Sequence, residues 1–113
     1  MLSNDGTTHL TIDKYNNLKN PHIADPSRLV WVVDHNVPCD SVKTAQSQKK
    51  MRDFAREHGI DFYEGEGICH QVMVEKYVRP GQLIFGADSH TCTYGCLGAF
   101  GPAWGARITC TPW

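Results

Sequence analysis

Asp34-His35, His70 and Asp88-Ser89-His90 are the groups in this chain whose types and spacing could do chemistry. They supply two carboxylates, three imidazoles and one hydroxyl. An imidazole titrates near neutrality, and a neighbouring carboxylate can raise its pKa and hold it charged. A charged histidine can protonate a leaving hydroxyl. Ser89 and backbone N–H groups in a Gly-rich turn could hold a substrate carboxylate. Histidine–aspartate pairs also suit metals, so the set alone does not fix the reaction. A second set, His90, Cys92 and Cys96 with Cys69-His70 nearby, could hold zinc, although its spacing is not that of paired C-x2-C elements. His9, His22 and His58 read as surface or cap residues. Lys49, Lys50 and Arg52 read as a solvated helix face, and Cys39 and Cys110 as small, partly buried thiols.

The elements that must position these groups follow from the apolar pattern. Leu29–Val33 is a continuous apolar run, mostly β-branched, and reads as a buried parallel strand. It stops at Asp34. Asp40 or Ser41 can cap a helix running to about His58, with Gly59 at its end. Met51, Phe54, Ala55 and His58 fall on one face of it. Ile60–Tyr63 and Leu83–Phe85 are further strand candidates. His70–Tyr77 reads as a helix closed before Arg79-Pro80-Gly81. Residues 1–28 are polar and mixed, with a weak helix signal at Thr11–Leu18. Alternating strands and helices predict an α/β fold with a parallel sheet. In such sheets ligands bind beyond the carboxyl ends of the strands. Two of the three strand candidates end in an Asp–His pair. The Leu29–Val33 strand is expected to need covering on both faces, some of it from elements beyond this chain.

Composition narrows the class. The 113 residues (12.7 kDa) suffice for one domain. Eleven basic and twelve acidic residues leave a formal charge of −1, which carries no electrostatic footprint for nucleic acid or an anionic membrane. No apolar run approaches the roughly 18 residues of a membrane span, and the first residues lack the parts of a signal peptide. An odd cysteine count of five predicts reduced thiols and a cytoplasmic location. Nine of the ten glycines lie at or after Gly59, which marks a loop-rich second half.

Val33-Asp34-His35, Gly67-Ile68-Cys69-His70-Gln71 and Gly86-Ala87-Asp88-Ser89-His90-Thr91 follow one another along the chain, accompanied by Glu75-Lys76-Tyr77, Pro80-Gly81, Tyr94-Gly95 and Leu97-Gly98-Ala99-Phe100. In order and spacing these motifs and linking stretches resemble the aconitase superfamily, in the branch of the isopropylmalate dehydratases and homoaconitases. The resemblance covers roughly residues 2–100, and three ordered motifs make it specific at superfamily level.

The resemblance implies a parallel-sheet, three-layer α/β domain, here incomplete, with residues 1–100 as its partial domain and 101–113 as a divergent tail. It implies a hydro-lyase that moves a hydroxyl between adjacent carbons of a hydroxy di- or tricarboxylate such as isopropylmalate, homoaconitate or citrate. By this resemblance Asp34 and His35 protonate the leaving hydroxyl. His70 pairs with Asp88, Ser89 contacts a substrate carboxylate and His90 lies near the cluster. Asn4 falls, by position and not by identity, on a substrate contact. The implied cofactor is a 4Fe-4S cluster with three cysteine ligands, and the implied partner is a small swivel-domain subunit. The cluster cysteines, the catalytic base and the substrate-binding arginines are expected downstream or on that subunit. None of Cys39, Cys69, Cys92, Cys96 or Cys110 matches a ligand position. The chain is therefore expected to be a fragment or frameshifted product, inactive alone. The alternatives are a non-catalytic product of the same ancestry and a small zinc module.

Overall fold

A computed structural model describes residues 1–104. Three parallel strands form one sheet in the order β1 (Leu2–Asn4), β2 (Val30–Val33), β3 (Asp61–Glu64). The register sets Leu2 opposite Val30 and Asn4 opposite Val32, then Val30 opposite Asp61 and Val33 opposite Glu64. The connections carry α1 (Thr8–Asn16) and α2 (Val42–His58). After β3 come α3 (Cys69–Lys76) and a 3₁₀ segment, Ser89–Leu97.

β2 is the centre because every one of its residues is buried. Successive strand side chains point to opposite faces, so β2 feeds two cores. Val30 and Val32 join Leu2, Cys69, Val72, Met73 and Tyr94 on one side. Trp31 and Val33 join Ile12, Met51, Ala55 and Ile60 on the other. The result is three layers: α1 and α2, the sheet, then α3 with the 3₁₀ segment. Both faces of β2 are thus covered by helices of this chain, which removes the expectation that its cover comes from elsewhere.

Local chemistry sets the ends of the long helix. Ser41 Oγ accepts the Thr44 N–H at 3.2 Å and caps α2. Gly59 closes it with φ +69°, a conformation that favours glycine. The first helix begins earlier than Thr11–Leu18: it starts at Thr8 and ends at Asn16, where Asn17 Nδ2 donates to the Asp13 carbonyl at 2.8 Å.

Two strand expectations change. β1 lies within the stretch read as polar and mixed. Its buried Ser3 and Asn4 are tolerable because Thr8 Oγ1 sits 2.7 Å from Ser3 Oγ and 2.6 Å from the Asn4 carbonyl oxygen. Leu83–Phe85 is not a regular strand. It extends the sheet through single bridges, Leu2 with Gly86, Leu83 with Phe100 and Gly86 with Ala103. Pro102 offers a carbonyl to the Gly86 N–H but has no N–H to return, so a continuous ladder cannot form. Pairing nevertheless continues to Trp104, whose N–H donates to the Gly86 carbonyl at 2.7 Å. Residues 105–113 of the tail, including Cys110, lie outside the described residues.

Candidate active site

The site begins with a buried carboxylate just past β1. Asp5 N–H continues the sheet by donating to the Val32 carbonyl at 3.1 Å. Its side chain then collects the loop that leaves β2. Oδ1 accepts the backbone N–H groups of Asp34 (3.2 Å) and His35 (2.9 Å), and Oδ2 accepts the backbone and amide N–H groups of Asn36 (3.0 and 2.9 Å). Burial pushes the Asp5 carboxyl up. The hydrogen bonds from His35, Asn36 and Asp34 together outweigh it, so the group stays below the usual carboxylate range. The loop is thereby held as a rigid corner at the carboxyl end of the central strand.

Asp34 uses both oxygens. Oδ1 lies 2.7 Å from His35 Nδ1, and Oδ2 accepts the Cys69 N–H at 2.6 Å. The second bond matters because Ile68, at the N-cap of α3, has no side-chain cap of its own. A carboxylate at a helix N-terminus satisfies an orphan N–H and suits the helix dipole. Asp34 therefore holds His35 with one oxygen and aims the helix that carries His70 with the other. The Asp34 side chain is 4% exposed while His35 is 48% exposed. This pair combines a buried acceptor with a solvent-facing imidazole. The Asp34 hydrogen bond raises the His35 pKa above its ordinary 6.5, against the pull of burial and with help from the charges of Asp34, Asp5 and Asp88.

His70 stands across from this corner. Its Nδ1 lies 2.9 Å from Tyr94 Oη and its Nε2 2.8 Å from Asp88 Oδ1. Asp88 also caps the 3₁₀ segment, accepting the His90 N–H at 2.7 Å, and lies 3.1 Å from His90 Nδ1. Burial pushes the Asp88 carboxyl up. The His90 backbone bond and the His70 and His90 side chains outweigh it, and its pKa falls to about 2. Thr91 supports the turn from below, its Oγ1 donating to the Asp88 carbonyl at 2.6 Å. That contact needs Gly86, where an added Cβ would meet Thr91 Oγ1 at 2.1 Å.

Asp34, His35, His70, Asp88 and His90 thus gather at one end of the sheet. Ser89 is exposed, with Oγ 3.5 Å from His90 Nδ1. Asn4 is 2% exposed, with Oδ1 accepting Thr7 Oγ1 at 3.2 Å and its side chain bonded to the Cys69 thiol. Two positioning roles were not read from sequence. The resemblance set Asp5 with Asn4 on a substrate-touching pair but not as the anchor of the loop after β2, and Tyr94 was quoted only as part of a linking stretch.

The geometry also weighs the metal readings. Among the described residues, two groups place three possible ligand atoms within 4.8 Å of one another: His70, Asp88 and His90, and Asp5, Asp34 and His35. Neither contains a cysteine, so the His90, Cys92 and Cys96 zinc set is not assembled. In the first group His70 Nε2 and His90 Nδ1 both face one oxygen, Asp88 Oδ1, which is a hydrogen-bonded arrangement already satisfied. Cys39, Cys92 and Cys96 are exposed free thiols. Cys69 is buried, and burial together with the Asp34 carboxylate pushes its thiol up to about 12, far from the thiolate a cluster requires. The described residues therefore do not fit a 4Fe-4S cluster.

The profile of the aconitase family (aconitate hydratase) matches residues 1–107. The chain is 49% identical over 102 residues to the 3-isopropylmalate dehydratase large subunit 1 of Methanopyrus kandleri, covering 88% of this chain and 24% of that protein. It is 46% identical over 112 residues to a probable methanogen homoaconitase large subunit of Methanothermobacter thermautotrophicus, covering 93% and 26%. A 3-isopropylmalate dehydratase large subunit of Elusimicrobium minutum is 44% identical over 103 residues, covering 90% and 25%. The chain spans about a quarter of the length of the curated relatives it matches.

Proposed function

The chain belongs to the aconitase family, and we propose that it supplies the proton-transfer part of a hydro-lyase acting on a hydroxy di- or tricarboxylate. Isopropylmalate and homoaconitate are the favoured substrates, because large subunits named for both are similar to this chain at 49% and 46% identity. The observation that carries the reading is the joining of two Asp–His systems through one residue. Asp34 bonds both His35 and the first turn of the helix bearing His70. In this reading His35, held charged by Asp34, protonates the departing hydroxyl. Asp88 orders His70 and His90 beside it. Ser89 contacts a substrate carboxylate, and Asn4 contributes to the floor of the site.

The Lewis acid of such a reaction, a 4Fe-4S cluster, is held by other parts of the enzyme, and so is the catalytic base. A small swivel-domain subunit is the proposed partner. Free thiols at Cys39, Cys69, Cys92 and Cys96 favour a reducing, cytoplasmic setting, and among the described residues no helix is long and apolar enough to cross a membrane. The proposal predicts that the chain alone has no hydro-lyase activity.

A chimera tests it. Residues 1–107 replace the aligned segment of the Methanopyrus kandleri large subunit, and the reconstituted enzyme is assayed on isopropylmalate, homoaconitate and citrate. Turnover of one of these acids is expected, with a loss of roughly 100-fold or more on His35→Ala. A folded, cluster-loaded chimera inactive on all three would overturn the reading.

A further inference from the structure

Tyr94 is fully buried, and its hydroxyl reaches His70. We infer that Tyr94 is a positioning residue that fixes His70 as its Nε2–H tautomer, with Nδ1 left as an acceptor. The inference rests on the hydro-lyase reading for its functional meaning and on geometry alone for its structural content.

His70 is held from both sides. Its side chain is 16% exposed, Nδ1 lies 2.9 Å from Tyr94 Oη, and Nε2 lies 2.8 Å from Asp88 Oδ1. The roles follow from what each partner can do. An ionised carboxylate only accepts hydrogen bonds, so the nitrogen facing Asp88 must carry a proton. The tyrosine hydroxyl can donate or accept. Burial, with Cys69, Asp88 and Asp34 close by, keeps it protonated. Its donation into Nδ1 completes a directed chain, Tyr94 O–H to Nδ1, then Nε2–H to Asp88. An imidazolium at this position would aim a second N–H at the phenol. The O–H of the buried Tyr94 would then have to turn away from its partner, which is costly for a buried polar group.

The consequence is a division of labour between two histidines that look alike in sequence. His35 is half exposed and held towards the charged state by Asp34. His70 is held between Tyr94 and Asp88, and its Nε2–H orients the Asp88 oxygen that also receives His90. Tyr94 acts through His70, so its effect is read at His70.

The test is long-range proton–nitrogen correlation NMR on the nitrogen-labelled 113-residue chain near neutral pH. The wild type is expected to show one protonated nitrogen in His70, assigned as Nε2. In Tyr94→Phe the Nδ1 resonance is expected to leave its hydrogen-bonded range and the single tautomer to give way to a mixture or to imidazolium. His35 is expected not to change in this variant. A wild-type spectrum with Nδ1 protonated, or with both nitrogens protonated, overturns the inference, and this arm decides alone should the variant not fold. A folded Tyr94→Phe protein whose His70 signals match wild type also overturns it. Neither result bears on the hydro-lyase reading, which the chimera assay tests through turnover.

Discussion

A buried carboxylate with several N–H partners is the strongest single anchor in this site. Asp5 gathers four donors from three successive residues, all about thirty positions away in sequence. Asp5→Ala should cost about 2 to 3 kcal/mol, because it strands buried donors as well as removing bonds to a charged acceptor; urea unfolding measures this. The His35 pKa makes a second prediction. It is raised above 6.5 chiefly by Asp34, so the pair's contribution to stability is complete below 6.5 and is lost as pH rises through the folded value. NMR titration of His35 should give a midpoint above 6.5, falling in Asp34→Asn. Asp88 works with the opposite sign. Its pKa drops from 3.8 to about 2, so it stabilises the fold fully above 3.8 and loses that contribution as pH falls towards 2. Unfolding midpoints for Asp88→Asn should be flatter across that window than for wild type. A variant as steep as wild type there would remove Asp88 from the account. Asp34 and His35 were legible in the sequence because they end a short apolar run that forms β2, and Asp88 and His90 because they follow the apolar Leu83–Phe85 stretch. Asp5 and Tyr94 were not, because their roles exist only through contacts that the fold creates.

At the scale of elements, what could be read from sequence was what periodicity or capping specifies locally. β2 and α2 were legible for that reason: one is continuously apolar, the other has a one-sided apolar face between Ser41 and Gly59. β1 was hidden because two of its three residues are polar and become buried through Thr8. The Leu83–Phe85 stretch has the composition of a strand, but its neighbour carries Pro102. Local capping should be correspondingly local in effect. Ser41→Ala removes the bond to Thr44 N–H at an exposed helix start, and a loss of about 1 kcal/mol is expected in urea unfolding. The start of α3 behaves differently, because its cap comes from Asp34, 35 positions earlier. Its order is therefore tied to the loop after β2, and a change at that loop should reach His70.

At the scale of the whole molecule, β2 joins two cores that share no other strand so fully. Its alternate residues are buried on opposite faces, Val30 and Val32 against α3, Trp31 and Val33 against α1 and α2. Neither core can form without this strand in register, so the layers should unfold together. That reasoning favours a single cooperative transition for the chain over loosely packed halves. Met51 provides the test, since it is fully buried in the core beneath α2 and has no place in the other core. Met51→Ala should cost about 2 to 5 kcal/mol, a large share of the roughly 5–15 kcal/mol typical of a whole domain. If the two cores are coupled through β2, native-state hydrogen exchange will show the amides of Val72 and Met73 in α3 losing as much protection as those of Phe54 and Ala55 in α2. Loss confined to α2 would mean that the layers open separately and that α3 with the 3₁₀ segment forms its own unit. The coupled outcome would also explain how a site built from both ends of the sequence, Asp5 on one side and Asp88 on the other, keeps its geometry in so short a chain.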